Sequence, residues 1–226
     1  MIIELPKKFS YANTKNGRKC AKVKNGILYI DLGVNFEKLM YSLTYSIKGN
    51  RRCCYCRQKV SKEKITIDHM YPKDYGGISI TNNLQPSCTK CNNDKANLNY
   101  NQYMTYKLLP KYDKKEFYRC IIQKKEQIRA EIGYDLPEEW VVMKNVSDLK
   151  TIYNASDLKA IYIERPKGKN YHKVEEQYEK YGTFRKPITT DRNLYILDGY
   201  NIYRYAAENN IEMVPVNVLE NVEVVY

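Results

Sequence analysis

Long apolar runs, histidine and the aromatics other than tyrosine are all scarce in this sequence. No stretch approaches the roughly 20 apolar residues that a bilayer-spanning helix requires. Met1 to Leu5 is apolar only briefly, with Glu4 inside it, before Pro6, Lys7 and Lys8, far short of a signal-peptide core. No membrane partner and no export are therefore expected, and the chain reads as cytoplasmic. Phenylalanine and tryptophan supply 4 and 1 residues against 23 tyrosines. So many phenolic hydroxyls need partners, which places part of the tyrosine inventory at surfaces or interfaces. Acidic residues are in deficit, 26 Asp and Glu against 38 Lys and Arg, a net charge of +12. Such a balance favours a polyanionic partner, because each neutralised phosphate releases counterions. The excess is localised. Arg51 to Lys111 holds 11 basic and 4 acidic residues, whereas Pro187 to Tyr226 holds 2 and 6. The cysteine count, 7, is odd, and four of them form two C-x-x-C pairs. Without an export signal, that pattern points to metal binding in a reducing compartment rather than to disulfides.

The chain shows no internal repeat and divides into four parts. In residues 1–50, Arg18 to Val23 and Gly26 to Asp31 read as strands around a Lys-Asn-Gly turn. Phe36, Leu39, Met40 and Leu43 recur at helical spacing, predicting an amphipathic helix over Asn35 to Ile47 that supports the second part. Residues 51–110 carry the chemistry. Residues 111–147 are a helical connector, with Phe117, Ile121, Ile128 and Ile132 on one side of Lys114 to Ile132 and Gly133 as its stop. Residues 148–226 alternate periods: strands at Ala160 to Ile163, Ile188 to Leu197 and Met213 to Leu219, helices at His172 to Tyr181 and Tyr200 to Glu208. That is a small α/β unit.

Cys53 with Cys56 and Cys88 with Cys91 are the two C-x-x-C pairs. Two intervening residues let a tight turn aim both thiolates at one tetrahedral zinc, at about 2.3 Å each. Four thiolates close the coordination sphere, so this zinc is structural. Cys54 competes with Cys53, and the spacing favours Cys53. Cys20 and Cys120 have no partner pattern and read as small buried apolar residues.

Between the pairs lie Ile65-Thr66-Ile67-Asp68-His69-Met70-Tyr71-Pro72-Lys73, Gly76-Gly77 and Asn82-Asn83-Leu84-Gln85-Pro86, and Asn92-Asn93-Asp94-Lys95 follows Cys91. His69 is expected to be largely neutral near pH 7 to 8 and able to take a proton. Asp68 offers the anionic oxygen that a hard divalent ion prefers. Adjacent residues on a strand point to opposite faces. Together these motifs resemble the HNH endonuclease family, over about 45 of the 226 residues. The resemblance implies a β-hairpin and helix gripping one Mg²⁺ or Mn²⁺ through Asp68 and Asn92, with the strand end distorted around the metal. It implies His69 as general base, Asn83 holding the hairpin loop so that His69 presents the correct nitrogen, and products with 5′-phosphate and 3′-hydroxyl ends. Lys95 is expected at a phosphate, and Lys73, Arg51 and Arg52 are further candidates for DNA contact.

Farther on stand Lys186-Pro187-Ile188-Thr189, Leu197-Asp198-Gly199-Tyr200-Asn201, Ala206-Ala207-Glu208 and Val214-Pro215-Val216. These resemble the ParB/sulfiredoxin-like domain family, which implies nucleotide-phosphate binding at a helix N-terminus. The candidates are Gly199, Asn201 and Arg204. Ile202 occupies the position where that family carries arginine, and the segment is net acidic, so a scaffold or regulatory role stands beside nucleotide binding.

The reading is an α+β chain: a zinc-stabilised ββα-metal HNH core plus a small α/β ParB/sulfiredoxin-like domain. Its expected activity is Mg²⁺-dependent cleavage of DNA, with RNA ranked lower, in a phage, homing, restriction or defence setting. One such site cuts one strand, so a double-strand break would require a homodimer or two sequential events. Two alternatives fit the same residues: a catalytically inactive zinc-stabilised DNA-binding module, and a nuclease gated by nucleotide at the C-terminal unit.

Overall fold

The computed structural model describes residues 1–12, 19–31, 34–49, 52–61, 63–149 and 167–225. Arg51 and the strand expected at Ala160 to Ile163 lie outside these residues. The first sheet opens with β1 (Phe9–Ala12), β2 (Lys19–Lys24) and β3 (Ile27–Asp31). Asn25 and Gly26 between β2 and β3 both have positive φ, 53° and 74°, as a tight hairpin turn requires. Helix α1 (Phe36–Lys48) comes next, capped by Asn35, whose side chain accepts from the Lys38 amide at 3.0 Å. Its 3–4 spacing buries Phe36, Leu39, Met40 and Leu43 against the sheet, together with Ile78, Ile80 and Leu84 from the next unit. Each such burial contributes about 1.5–3 kcal/mol.

Strands β4 (Ile65–His69) and β5 (Leu84–Cys88) form an antiparallel hairpin, and α2 (Thr89–Lys95) continues directly from it. Lys48 at the end of α1 donates to the carbonyls of Thr81 and Leu84 at 2.7 and 2.9 Å, fixing that helix to the hairpin. Beyond it are α3 (Tyr100–Leu108) and α4 (Lys114–Glu131). The helix expected at 114–132 is present and Gly133 succeeds it at φ +97°; Phe117, Ile121 and Ile128 are half-buried, Ile121 against the cysteine-lined core, but the one fully buried side chain of the helix is a lysine. Lys125 is buried, paired with Asp135 and lying 5.0 Å over the Tyr75 ring, while Ile132 is 54% exposed. Cys120 is exposed beside Glu116 on the solvent side of α4, correcting its expected burial; Cys20 is buried.

A second four-stranded sheet has the order β6-β9-β7-β8. It comprises β6 (Val142–Asn145), β7 (Ile188–Asp191), β8 (Ile196–Asp198) and β9 (Met213–Leu219), with α5 (Lys169–Tyr181) and α6 (Tyr200–Glu208) packed on it. The single strand expected over Ile188 to Leu197 is a hairpin, because the Asp191 carboxylate accepts from the Asn193 and Tyr195 amides and folds the chain back. The other oxygen of Asp191 accepts from Val224 in β10 (Val222–Val225), which pairs in parallel with β3.

Hydrogen bonding thus crosses the boundaries drawn at 50 and 147. β6 comes from the connector, and β10 completes the N-terminal sheet. The architecture is mixed, with separate helices and sheets, consistent with α+β. Among the described residues no helix is long and apolar enough to cross a membrane.

Candidate active site and metal centre

The sulfurs of Cys53, Cys56, Cys88 and Cys91 all lie within 4.8 Å of one another, and Cys56 and Cys88 are 4.0 Å apart. Bonds of about 2.3 Å to a tetrahedral ion require sulfurs about 3.8 Å apart, so the four thiols fit one zinc. The turns are those expected of such pairs. Tyr55 donates its amide to Cys53 Sγ and Cys91 donates to Cys88 Sγ, each at 3.4 Å. Although burial opposes ionisation of Cys53, the backbone amides of Cys56, Cys88 and Tyr55 hold its thiol below the ordinary range. Cys54 lies outside the cluster, and burial, with the charges of Cys53 and Asp68, pushes its thiol up to about 12. Around the cluster pack Tyr55, Leu98 and Tyr103, the small core that anchors the hairpin to α3 and α4.

β4 keeps unbroken register with β5 from Ile65↔Cys88 to His69↔Leu84. The strand end is therefore regular here, not distorted as the resemblance implied, and Asp68 and His69 diverge to opposite faces. Asp68 turns toward α2. It is buried, accepts from the Tyr55 hydroxyl, and has Lys95 Nζ 3.3 Å from Oδ1. Burial pushes the Asp68 carboxyl up and the Lys95 ammonium down, each restrained by the other's charge. Lys95, expected at a phosphate, is 1% exposed and committed to Asp68. Asn92 is on the same side. Its Nδ2 donates to Thr66 Oγ1 at 3.1 Å, two residues before Asp68, so the ligand atom it offers is Oδ1. One carboxylate and one amide oxygen suit a hard divalent cation, with Lys95 sharing the carboxylate.

His69 turns toward α1. Its Nε2 lies 2.9 Å from Ser79 Oγ, and the Tyr41 ring meets it edge-on at 6.2 Å. Burial, then the charge of Lys73, lowers the His69 imidazole to about 3. It is neutral across the physiological range. Behind it, Glu37 accepts from Lys73, Tyr41 and Ser79.

The loop between the strands is closed by Asn83, which is wholly buried. Its Oδ1 accepts from the Tyr71 amide at 2.7 Å, and its Nδ2 donates to the carbonyls of Tyr71 and Ile78 at 3.1 and 2.9 Å. Gly77 sits where a Cβ would fall 1.8 Å from the Tyr71 carbonyl oxygen, so only glycine passes. Lys73 is half exposed and paired with Glu37, and Arg52 is exposed, donating to the Arg57 carbonyl at 3.2 Å.

A cavity of about 560 Å³ adjoins the His69 network, walled by Glu37, Lys73 and Ser79 on one side and Lys186, Gly199 and Asn201 on the other. Gly199, at φ +101°, caps α6 with its Cβ position 3.0 Å from Ile188 Cα. Arg204 is not part of the wall. It pairs with Glu208 at 2.6 Å and lies over the Tyr171 ring. The structure therefore brings Gly199 and Asn201 together without Arg204.

Sequence reasoning did not single out Glu37, Tyr41, Ser79, Thr66 or Tyr55. Tyr55, flanked by the cysteines, carried a positional signal. Glu37 carried none beyond an acidic first helical turn.

The HNH endonuclease family model matches residues 53–98. That span contains all four clustered cysteines together with Asp68, His69, Asn83, Asn92 and Lys95. A match to this family implies nuclease-type activity with a metal. No curated protein matches the chain.

Proposed function

We propose that this protein is a divalent-metal-dependent endonuclease of the HNH type that hydrolyses phosphodiester bonds in DNA. The observation that carries the reading is the coincidence of the family match at 53–98 with a closed four-cysteine cluster bracketing the hairpin that bears Asp68 and His69. In this reading His69, neutral and buried, takes a proton from the attacking water. Asp68 and Asn92 would hold Mg²⁺ or Mn²⁺, and the ion would supply Lewis-acid stabilisation to the phosphodiester. Asn83 fixes the loop that succeeds His69, and the cysteines hold a structural zinc. The basic balance of the chain, +12, supports a nucleic-acid partner.

Conversion of supercoiled plasmid tests this, with Mg²⁺ or Mn²⁺, beside His69→Ala. Open-circle or linear product from the wild type alone is the expected result. Absence of cutting by both proteins, with a retained gel shift, would leave the inactive DNA-binding module as the reading.

A second reading is favoured by one observation, the cavity shared by Gly199, Asn201 and Lys186 with Lys73 and Ser79. In it, the C-terminal unit is ParB/sulfiredoxin-like and a nucleotide in the cavity gates the nuclease. Nucleotide-dependent cutting that Lys186→Ala abolishes would support it. Equal cutting with and without nucleoside triphosphate would remove it.

A further inference from the structure

Glu37 belongs to the first turn of α1 and lies outside the matched segment, which begins at Cys53. We propose that Glu37 is a positioning residue for His69, acting through the Ser79 hydroxyl to keep the ring proton on Nε2 and leave Nδ1 as the proton acceptor. Its catalytic consequence rests on the nuclease reading; its geometric content does not.

Ser79 Oγ stands between the two groups, 2.9 Å from His69 Nε2 and 3.4 Å from Glu37 Oε1. A hydroxyl has one proton to give and two lone pairs to accept with, while an ionised carboxylate only accepts. Glu37 is held ionised. Burial works against its charge, but hydrogen bonds from Lys73 and Tyr41 and the Lys73 charge bring its carboxyl below the ordinary value. The Ser79 proton therefore points to Glu37, and an oxygen lone pair faces His69. Nε2 must then donate. A neutral imidazole carries one N–H, so Nδ1 is left with its lone pair.

Tyr41 supports the same arrangement from one helical turn away. Its hydroxyl donates to Glu37 at 2.5 Å and its ring edge meets the imidazole. Burial and the Glu37 carboxylate push that hydroxyl well above the usual phenol range, so it stays a donor. An orienting group behind a catalytic base selects its tautomer in just this manner, and loss of the correct tautomer is costly.

The full chain labelled with ¹⁵N-histidine gives a direct readout, because His172 is the other histidine and His172→Ala assigns the pair. At pH 7.5 the His69 ring shifts should show a protonated Nε2 and a lone-pair Nδ1. In Glu37→Ala the Ser79 proton is free to turn to Nε2, so the population moves toward Nδ1–H. Ser79→Ala, which removes one oxygen, also moves it, whereas Glu37→Gln keeps an accepting oxygen and retains the wild-type pattern. For plasmid nicking, Glu37→Ala lowers kcat at least about tenfold and changes KM less than about twofold. A wild-type ring protonated at Nδ1 overturns the proposal, as do tautomer populations unmoved in both alanine variants. Correct tautomer responses in a protein that never cuts DNA would sink the nuclease reading and leave the positioning intact.

Discussion

Lys95 Nζ lies 3.3 Å from Asp68 Oδ1, and both side chains are almost wholly withdrawn from water. Removing one member of such a pair strands a buried charge, at a cost of about 3–5 kcal/mol. Lys95→Met is therefore expected to lower stability by that amount in a denaturant melt. Mn²⁺ or Mg²⁺ should restore part of the loss, since a cation at Asp68 replaces the missing ammonium. A melt unaffected by the substitution would contradict the buried pair.

The four-cysteine cluster predicts one tightly held zinc per chain. Its ligands bracket β4, β5 and the start of α2, so binding energy there is folding energy for the hairpin. Stripping zinc with a thiol-modifying reagent should release one equivalent and abolish the near-ultraviolet circular dichroism of the surrounding tyrosines. Adding back Mg²⁺ should not restore it. Release of no zinc would leave four free thiols.

His69 gives stability a defined pH dependence. Its imidazole is held at about 3 in the fold, against about 6.5 in an unfolded chain. Between those values the unfolded state binds the extra proton, so stability falls as pH drops and is fully present above about 6.5. The expected slope is about 1.4 kcal/mol per pH unit, measured without added divalent ion. His69→Asn should flatten it, and an equal slope in that variant would locate the effect elsewhere.

Two glycines should respond differently to alanine. At Gly77 the new Cβ would meet backbone atoms of Tyr71 and Pro72 at 1.8 and 2.8 Å, which costs on the order of 3 kcal/mol. At Gly26 nothing lies within 4 Å and only the left-handed φ of +74° is at issue, costing about 1–2 kcal/mol. Equal melting temperatures for the two variants would refute the close approach at Gly77.

What the sequence disclosed was local. The 3–4 spacing of Phe36, Leu39, Met40 and Leu43 marks α1 because one face is buried. The paired cysteines and the Asp-His, Asn and Gly-Gly positions lie close together in the chain, so their pattern survives in one dimension. The pairing of β10 with β3 joins distant segments and leaves no periodic trace. Lys125 is buried on α4 although the sequence reading put lysines on its solvent side, and its partners Asp135 and Tyr75 are what make that burial tolerable. Glu37 was hidden for the same reason. An acidic residue in a first helical turn usually serves the helix dipole, and its link to His69 exists only in space.

The parallel pairing of Val222–Val225 with Leu28–Asp31 has a consequence for how the molecule is made. On the ribosome, β3 and α1 emerge long before the strand that completes their sheet, so the edge of β3 stays open while the hairpin and its cysteines appear. Glu37 and Tyr41 ride on the helix packed against that unfinished sheet. The sheet beneath the network behind His69 is thus completed only when translation has passed Val225. A chain cut short before that point would carry every cysteine and every residue of the matched segment, yet leave the sheet under the helix of Glu37 and Tyr41 one strand short.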